Sequence, residues 1–139
     1  MIVLDTNLLS ELMKPAPAES VMRWVAAQPA TSLYTTSITQ AEILHGVMLL
    51  PSGRRRNAIE IAAEAMFKED FGGRILPFAS DAARPYARIA AERRRAGRPI
   101  SQFDAQIAAI AHSTGAAIAT RNVTDFEGCG VTVIDPWEA

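Results

Sequence analysis

The chain has 139 residues, of which 49% are apolar and 21% charged, and its 14 basic and 15 acidic residues leave a net charge of -1. The apolar content excludes a disordered chain, and the length suits one domain with a buried core, which we expect to span residues 1–139. The near-zero net charge excludes a basic surface overall, so any nucleic acid would have to bind a local basic patch.

The predicted elements alternate between short apolar strands and helices. In chain order, the sequence predicts a strand at 2–4, helices at 8–13 and 21–25, a strand at 33–35, helices at 37–50 and 59–67, a strand at 74–78, helices at 82–90 and 103–113, and strands at 116–119 and 131–134. This alternation predicts an α/β sandwich with a mainly parallel sheet. A four-helix bundle with irregular linkers is less favoured, because β-rich runs separate the helices.

The expected location follows from the cysteine count and the apolar runs. A single cysteine, Cys129, excludes an internal disulfide and is typical of a reducing compartment. Asp5 and Asn7 interrupt the first apolar run, so no signal peptide is evident, and no run approaches the ~20 apolar residues of a membrane span. We therefore expect a cytoplasmic protein that does not enter a membrane.

Polar residues are predicted where the strands of a parallel sheet end, which is where such sheets bind ligands. Asp5 directly follows the first strand, and Glu42 lies early in the helix after the second. Asp104 lies in the first turn of the helix before the fourth strand, and Asn122 and Asp125 follow that strand. We expect all five to converge on one edge of the sheet.

Converging carboxylates without Cys or paired His ligands favour Mg²⁺ or Mn²⁺ over zinc. Such an ion can generate a hydroxide and stabilise the charge on a phosphodiester under attack. Two carboxylates could instead hydrolyse a glycosidic bond, but aromatic residues are only 6% of the chain, which does not favour a sugar cleft.

Each acid also has a structural interpretation. Asp5 could cap the helix that follows it, and Asp125 could be a turn residue. Glu42 and Asp104 each follow a Thr or Ser by three residues, the spacing of a capping box. Asp5 nevertheless favours a site, because an acid beside a buried strand must face a group that offsets its desolvation.

Segments 2–7 (IVLDTN), 37–43 (SITQAEI), 103–108 (FDAQIA) and 119–126 (ATRNVTDF) carry these acids in order. Together they resemble the motifs of the PIN-domain family, specifically the VapC- and FitB-type toxins of bacterial toxin–antitoxin pairs. The closing segment 133–137 (VIDPW) is also similar to the end of FitB-type chains. The resemblance covers nearly the whole chain.

The resemblance implies a three-layer α/β/α sandwich with a five-stranded parallel sheet ordered 3-2-1-4-5. It also implies an endoribonuclease that depends on Mg²⁺ or Mn²⁺ and acts as the toxin of a toxin–antitoxin pair. A cognate antitoxin protein would restrain it, and operator DNA would be bound only through the complex with that antitoxin. Members of the family are usually homodimers.

The resemblance implies that Asp5, Glu42 and Asp104 are catalytic residues and ligands of the metal. It does not decide which residue occupies the position of the fourth acid. Some FitB-type members carry an acid where this chain has Asn122, and others place it at the position of Asp125. We expect Asp125 to be the fourth catalytic residue, acting directly or through water. The alternative is an uncharged fourth position at Asn122.

Five further residues are expected to support the ligands or contact RNA: Thr6, Asn7, Thr120, Arg121 and Asn122. Of these, Arg121 is the best candidate for a phosphate contact, because its guanidinium presents a bidentate fork. The arginines at 54–56 and 93–95 either hold RNA phosphates or form a solvated face.

Two residues near Glu42 have less specific interpretations. His45, one turn after Glu42, is more plausible as a surface or packing histidine than as a general base. Gly46 predicts a close approach of substrate or of another backbone, or close packing of its helix on a strand. The surplus of apolar residues on the early helices could form a dimer face or an antitoxin groove.

Two other functions are weighed. In a phosphatase of the haloacid-dehalogenase type, Asp5 would be the nucleophile. That family carries the motif D-x-D after its first strand, whereas this chain has Asn7 at the position of the second Asp. A protein of the same fold that binds an antitoxin or RNA without cutting is disfavoured by the four polar positions.

Overall fold

A computed structural model describes all of residues 1–139. Its strands are β1 (Ile2–Leu4), β2 (Leu33–Thr36), β3 (Ile75–Leu76), β4 (Ala117–Ala119) and β5 (Val133–Ile134). Its helices are α1 (Thr6–Leu12), α2 (Glu19–Ala26), α3 (Ser37–Met48), α4 (Arg54–Ala65), α5 (Ser80–Arg95) and α6 (Gln102–Thr114). The strands form one parallel sheet in the order β3-β2-β1-β4-β5. The predicted α/β class and the implied sheet order are confirmed, and the helical bundle is wrong.

Helices cover both faces of the sheet, which makes three layers. In β1, Leu4 packs into the core formed with α1, α2, α3 and α4, whereas Val3 packs on the opposite face against α5 and α6. Both side chains are fully buried, and full burial of such a side chain stabilises the fold by about 1.5–3 kcal/mol. The central strand therefore joins two cores, and the residue that follows it has a fixed position.

The element boundaries differ from the predicted ones at several ends. The third and fifth strands are reduced to two residues each, because only those residues pair with a neighbouring strand. Helix α4 begins at Arg54, five residues before the apolar repeat that starts at Ile59. The repeat misses this start because the first turn of the helix consists of polar residues. It then continues into a π-helical turn over Met66–Asp70, for which the sequence has no signal that we identified.

Three helices begin beside the end of the sheet with a side-chain cap. Asp5 Oδ1 accepts from Thr6 N at 2.8 Å, Thr36 Oγ1 accepts from Thr39 N, and Ser101 Oγ accepts from Asp104 N, the last two at 3.1 Å. The sequence correctly pairs Ser101 with Asp104.

For α3 the predicted cap is wrong. Thr36, not Thr39, is the N-cap, because the helix begins directly at the end of β2. Glu42 therefore lies in the second turn of α3 and takes no part in a capping box. Elsewhere in the fold, none of the helices has the length and apolar content that crossing a membrane requires.

Candidate active site

Asp5 is the most enclosed acid of the chain, with 4% of its surface exposed. It lies at the end of β1, between β2 and β4. Oδ1 accepts from Thr6 N, and Oδ2 accepts from Thr120 Oγ1 at 2.9 Å and from Asn7 Nδ2 at 3.2 Å. Asn7, which stands where the phosphatase motif has its second Asp, donates its amide to Asp5 and supplies no second carboxylate.

Other acids surround this carboxylate. The pKa of Asp5 is raised from 3.8 to about 6, mainly because burial disfavours the charged carboxylate. Hydrogen bonds with Thr6 and Thr120 lower this pKa, and the negative charges of Asp104 and Glu42 contribute smaller increases to the same net value. Each of these two acids therefore lies close enough to Asp5 to act on its charge, as the sequence predicts.

Asp104 interacts through its charge both with Asp5 and with Asp125 in the loop after β4. Burial raises the pKa of Asp104, the hydrogen bond with Ser101 lowers it, and the charge on Asp125 raises it. The positive charge of Arg93 lowers it. Asp125 itself is exposed in a 3₁₀ turn, Val123–Phe126, so it forms the open rim of the acidic cluster.

A hydroxyl on α1 fixes Glu42. Thr6 Oγ1 donates to Glu42 Oε1 at 2.8 Å and lies 3.1 Å from the buried Thr39 Oγ1. Since the backbone N–H of Thr6 also donates to Asp5, one threonine fixes the positions of two of the acids relative to each other. In the sequence, Thr6 is marked only by its place in the first motif.

Four of the supporting residues lie together between the ends of β1 and β4. Thr120 Oγ1 accepts from Asn7 Nδ2 at 3.0 Å and from Asn122 N at 3.1 Å, and Asn7 Oδ1 accepts from Arg121 N at 3.2 Å. Thr120 is fully buried. This network orients Asp5 from the side opposite Thr6.

The two candidates for the fourth acidic position make different contacts. Asn122 contributes its backbone N–H to Thr120, and its side chain is exposed. Asp125 is the residue of this loop whose charge acts on Asp104.

The donor set suits a hard divalent cation, since it consists of carboxylates with hydroxyl and amide support. No group of three His, Cys, Asp or Glu side chains is drawn together tightly enough to form a ready-made metal cluster. Mg²⁺ needs only one or two direct carboxylates and keeps several waters, so it can bridge acids that stand further apart. The residues present therefore fit such an ion.

Two buried charged residues were not recognised from the sequence. Glu11 holds the turn after α1, accepting from Lys14 Nζ and from Ala18 N, both at 2.9 Å. Its place on the apolar stripe of α1, one turn after Leu8, is the signal that could have identified it. Arg93 lies one turn after the buried Ile89 in the same way, and the structure contradicts its assignment to an RNA-binding or solvated patch.

The structure also places the remaining basic candidates and Gly46. Arg54, Arg55 and His45 are exposed, and Arg121 places its guanidinium 5.4 Å from the centre of the Trp137 ring. A Cβ on Gly46 would meet no atom within 4 Å, so the predicted close approach of another backbone is wrong.

Gly46 instead lines an open groove of about 560 Å³ that begins at the acidic cluster. Thr6 and Glu42 form one end of the groove, helices α1, α3 and α4 form its walls, and Lys14 and Arg55 contribute positive charge. Of the clustered acids, Glu42 is the one that lines this groove.

The fold and the acids define an α/β protein with a carboxylate cluster where the strand order reverses. Residues 2–127 match the PIN domain. The chain is 41% identical over 138 residues to the VapC ribonuclease Y4jK of Sinorhizobium fredii and 37% identical over 137 residues to the toxin FitB of Neisseria gonorrhoeae, with 99% of each chain covered in both cases. The protein therefore belongs to the PIN-domain family, with VapC- and FitB-type toxins as its relatives.

The fold comparison agrees. A chain in the solved structure of FitAB bound to the IR36 DNA fragment superposes with a TM-score of 0.92 at 37% sequence identity. The match covers 99% of this chain and 96% of that one. The likeness therefore includes all five strands and their order.

Proposed function

We propose that the protein is a metal-dependent endoribonuclease that hydrolyses RNA phosphodiesters as the toxin of a toxin–antitoxin pair. The observation that carries the proposal is the buried carboxylate of Asp5, held by Thr120 and Thr6 while it faces Asp104 and Glu42. Such a concentration of negative charge is unfavourable unless a cation offsets it. The ribonuclease name of a relative with 41% identity supports RNA as the substrate.

Asp5, Glu42 and Asp104 would hold Mg²⁺ or Mn²⁺. When bound, such an ion supplies positive charge that stabilises the phosphodiester under attack and lowers the pKa of a water. Thr120 and Asn7 keep Asp5 oriented, and Thr6 does the same for Glu42.

At the rim, Asp125 and Arg121 would meet the substrate. Asp125 is exposed beside Asp104, where its carboxylate can accept a hydrogen bond from the attacking water. Arg121 is exposed next to Thr120, where a guanidinium can bind a phosphate of the RNA.

Cleavage by single variants tests this assignment. We expect Asp5→Asn and Asp104→Asn to fold and to lose at least about 100-fold in cleavage of single-stranded and looped RNA, as is typical when groups that stabilise transition-state charge are removed. Asp81→Asn, which changes an exposed acid on α5, is the matched control and should cleave normally. Full activity of folded Asp5→Asn would refute the proposed site.

The partner proposal depends on the relatives and on the groove beside the site. FitB is a toxin, and FitAB has been solved bound to DNA. We propose that a small cognate antitoxin binds this protein, that operator DNA is bound only through that complex, and that the toxin is a cytoplasmic homodimer. The groove and the exposed Met48 and Leu49 at the end of α3 offer apolar surface for such contacts.

Co-expression tests the partner. Expression of the wild-type protein should stop growth, and expression of Asp5→Asn should not. Co-expression of a small neighbouring reading frame should restore growth and allow the two proteins to be purified together. If that second protein restores growth without forming a complex, the proposed mode of restraint is wrong.

A further inference from the structure

We propose that Arg93 is a positioning residue that holds the loop bearing Asp125 against Asp104. The inference rests on the proposed function, because it assigns to Arg93 the geometry of the fourth acid. Arg93 lies in the last turn of α5, outside all the motif segments, and is 9% exposed.

The guanidinium of Arg93 binds backbone carbonyls from two separate segments. Nε donates to Arg98 O at 2.8 Å, in the turn after α5. Nη1 donates to Asp125 O at 2.8 Å and to Glu127 O at 3.1 Å. One side chain therefore fixes the backbone of the residue that we assign as the fourth acid, and of the residue two positions later.

The contacts suit arginine rather than lysine. A guanidinium presents donors in a rigid planar fork, which can serve carbonyls in different directions, whereas a lysine ammonium is a flexible point charge. The neighbouring Arg94 and Arg95 are exposed and make no hydrogen bond of this kind. The role is therefore specific to Arg93 within the basic run.

The charge of Arg93 also lacks a carboxylate in direct contact. The ion pairs of the structure are Lys14–Glu11, Arg23–Glu19 and Arg98–Glu127, and Arg93 is in none of them. A buried cation whose partners are three carbonyls and the Cys129 sulfur, with no carboxylate, is costly for stability. Its field reaches Asp104, so it reduces the repulsion between Asp104 and Asp125 that would otherwise push their two segments apart.

The experiment compares Arg93→Gln and Arg93→Lys with Arg94→Gln and Arg98→Gln. Arg94→Gln removes an exposed charge one residue away, and Arg98→Gln removes the exposed ion pair between Arg98 and Glu127 on the same loop. For each protein we would measure thermal unfolding, amide hydrogen exchange of residues 123–129, Mn²⁺ affinity without RNA, and kcat and KM for RNA cleavage.

We expect both Arg93 variants to speed exchange at 123–129, to weaken Mn²⁺ binding about 10-fold or more, and to lower kcat with little change in KM. The lysine variant should fold and retain the charge but not the carbonyl contacts, so it keeps the test valid if Arg93→Gln fails to fold. Both controls should behave as the wild type does in Mn²⁺ affinity and in kcat.

A folded Arg93→Lys or Arg93→Gln with wild-type exchange, Mn²⁺ affinity and kcat would overturn the inference. A variant that lowers only the unfolding temperature would overturn it too, because that is the result of a purely structural role. If the wild type itself does not cleave RNA, the proposed function fails separately, and the exchange and Mn²⁺ measurements still decide the role of Arg93.

Discussion

At the scale of single residues, Asp5 destabilises the fold that holds it. Its pKa is raised to about 6, so the folded state binds the proton more tightly than the unfolded chain does. Below about pH 3 the carboxyl is largely protonated in both states and carries no penalty. As the pH rises from about 3 to 7, the folded state loses about 3 kcal/mol relative to its low-pH stability, and about 2 kcal/mol of that loss falls between pH 4 and pH 6.

The first prediction follows from this loss of stability with rising pH. In the presence of EDTA, Asp5→Asn should gain stability relative to the wild type as the pH rises from 4 to 6, by about 2 kcal/mol, and the difference should level off above about pH 7. Urea unfolding of both proteins at pH 4, 5, 6 and 7 measures it. A difference between them that does not change with pH would contradict the raised pKa.

The fourth position gives a second prediction. Because Asp125 carries charge beside Asp104 and Asn122 contributes only its backbone, Asp125→Asn should lower kcat/KM about 10-fold or more, whereas Asn122→Ala should change it by less than about 3-fold. Cleavage kinetics on one RNA at saturating Mg²⁺ compare the two. The reverse order of effects would assign the fourth position to Asn122.

At the scale of elements, three helix starts build the site, and the sequence predicts them unevenly. Ser101 precedes its helix with the correct spacing to Asp104, so both the helix and its cap could be predicted. Thr36 directly precedes the predicted start of α3 at residue 37, so that boundary identifies it as the N-cap, but the capping-box spacing of Thr39 and Glu42 favoured the wrong threonine. The contacts of Arg93 join segments more than 30 residues apart, which no local pattern encodes.

The cap of α6 gives a third prediction. Ser101→Ala leaves Asp104 N without its side-chain partner and should destabilise the protein by about 1 kcal/mol. Denaturant unfolding measures the change. Ser52→Ala, at an exposed position before α4, is the control and should have little effect. A wild-type stability in Ser101→Ala would mean that water replaces this cap at no cost.

At the scale of the whole molecule, the parallel sheet gathers acids that lie about a hundred positions apart in sequence. The alternation of strands and helices was sufficient to predict the class of fold and the edge on which the acids would lie. The order of the strands came only from the family resemblance, because hydrophobic periodicity does not say which strand lies next to which. That order places Asp5, after β1, next to Thr120, after β4.

A fourth prediction concerns the cation and the stability of the entire fold. A divalent ion that binds only the folded protein stabilises it, by about 2.7 kcal/mol at a concentration 100 times the dissociation constant. Mn²⁺ should therefore raise the unfolding temperature of the wild type and leave that of the Asp5→Asn/Asp104→Asn variant unchanged. Equal shifts in the two proteins would place the bound ion elsewhere.

The most direct test of the account is cleavage of RNA by purified protein that has been stripped of metal with EDTA and then supplied with Mg²⁺ or Mn²⁺. We predict no cleavage after stripping, recovery with either ion, and no recovery in the Asp5→Asn/Asp104→Asn variant, whose fold is checked by circular dichroism. Cleavage that persists in EDTA, or that the double variant retains in full, would contradict a metal-dependent ribonuclease centre at this edge of the sheet.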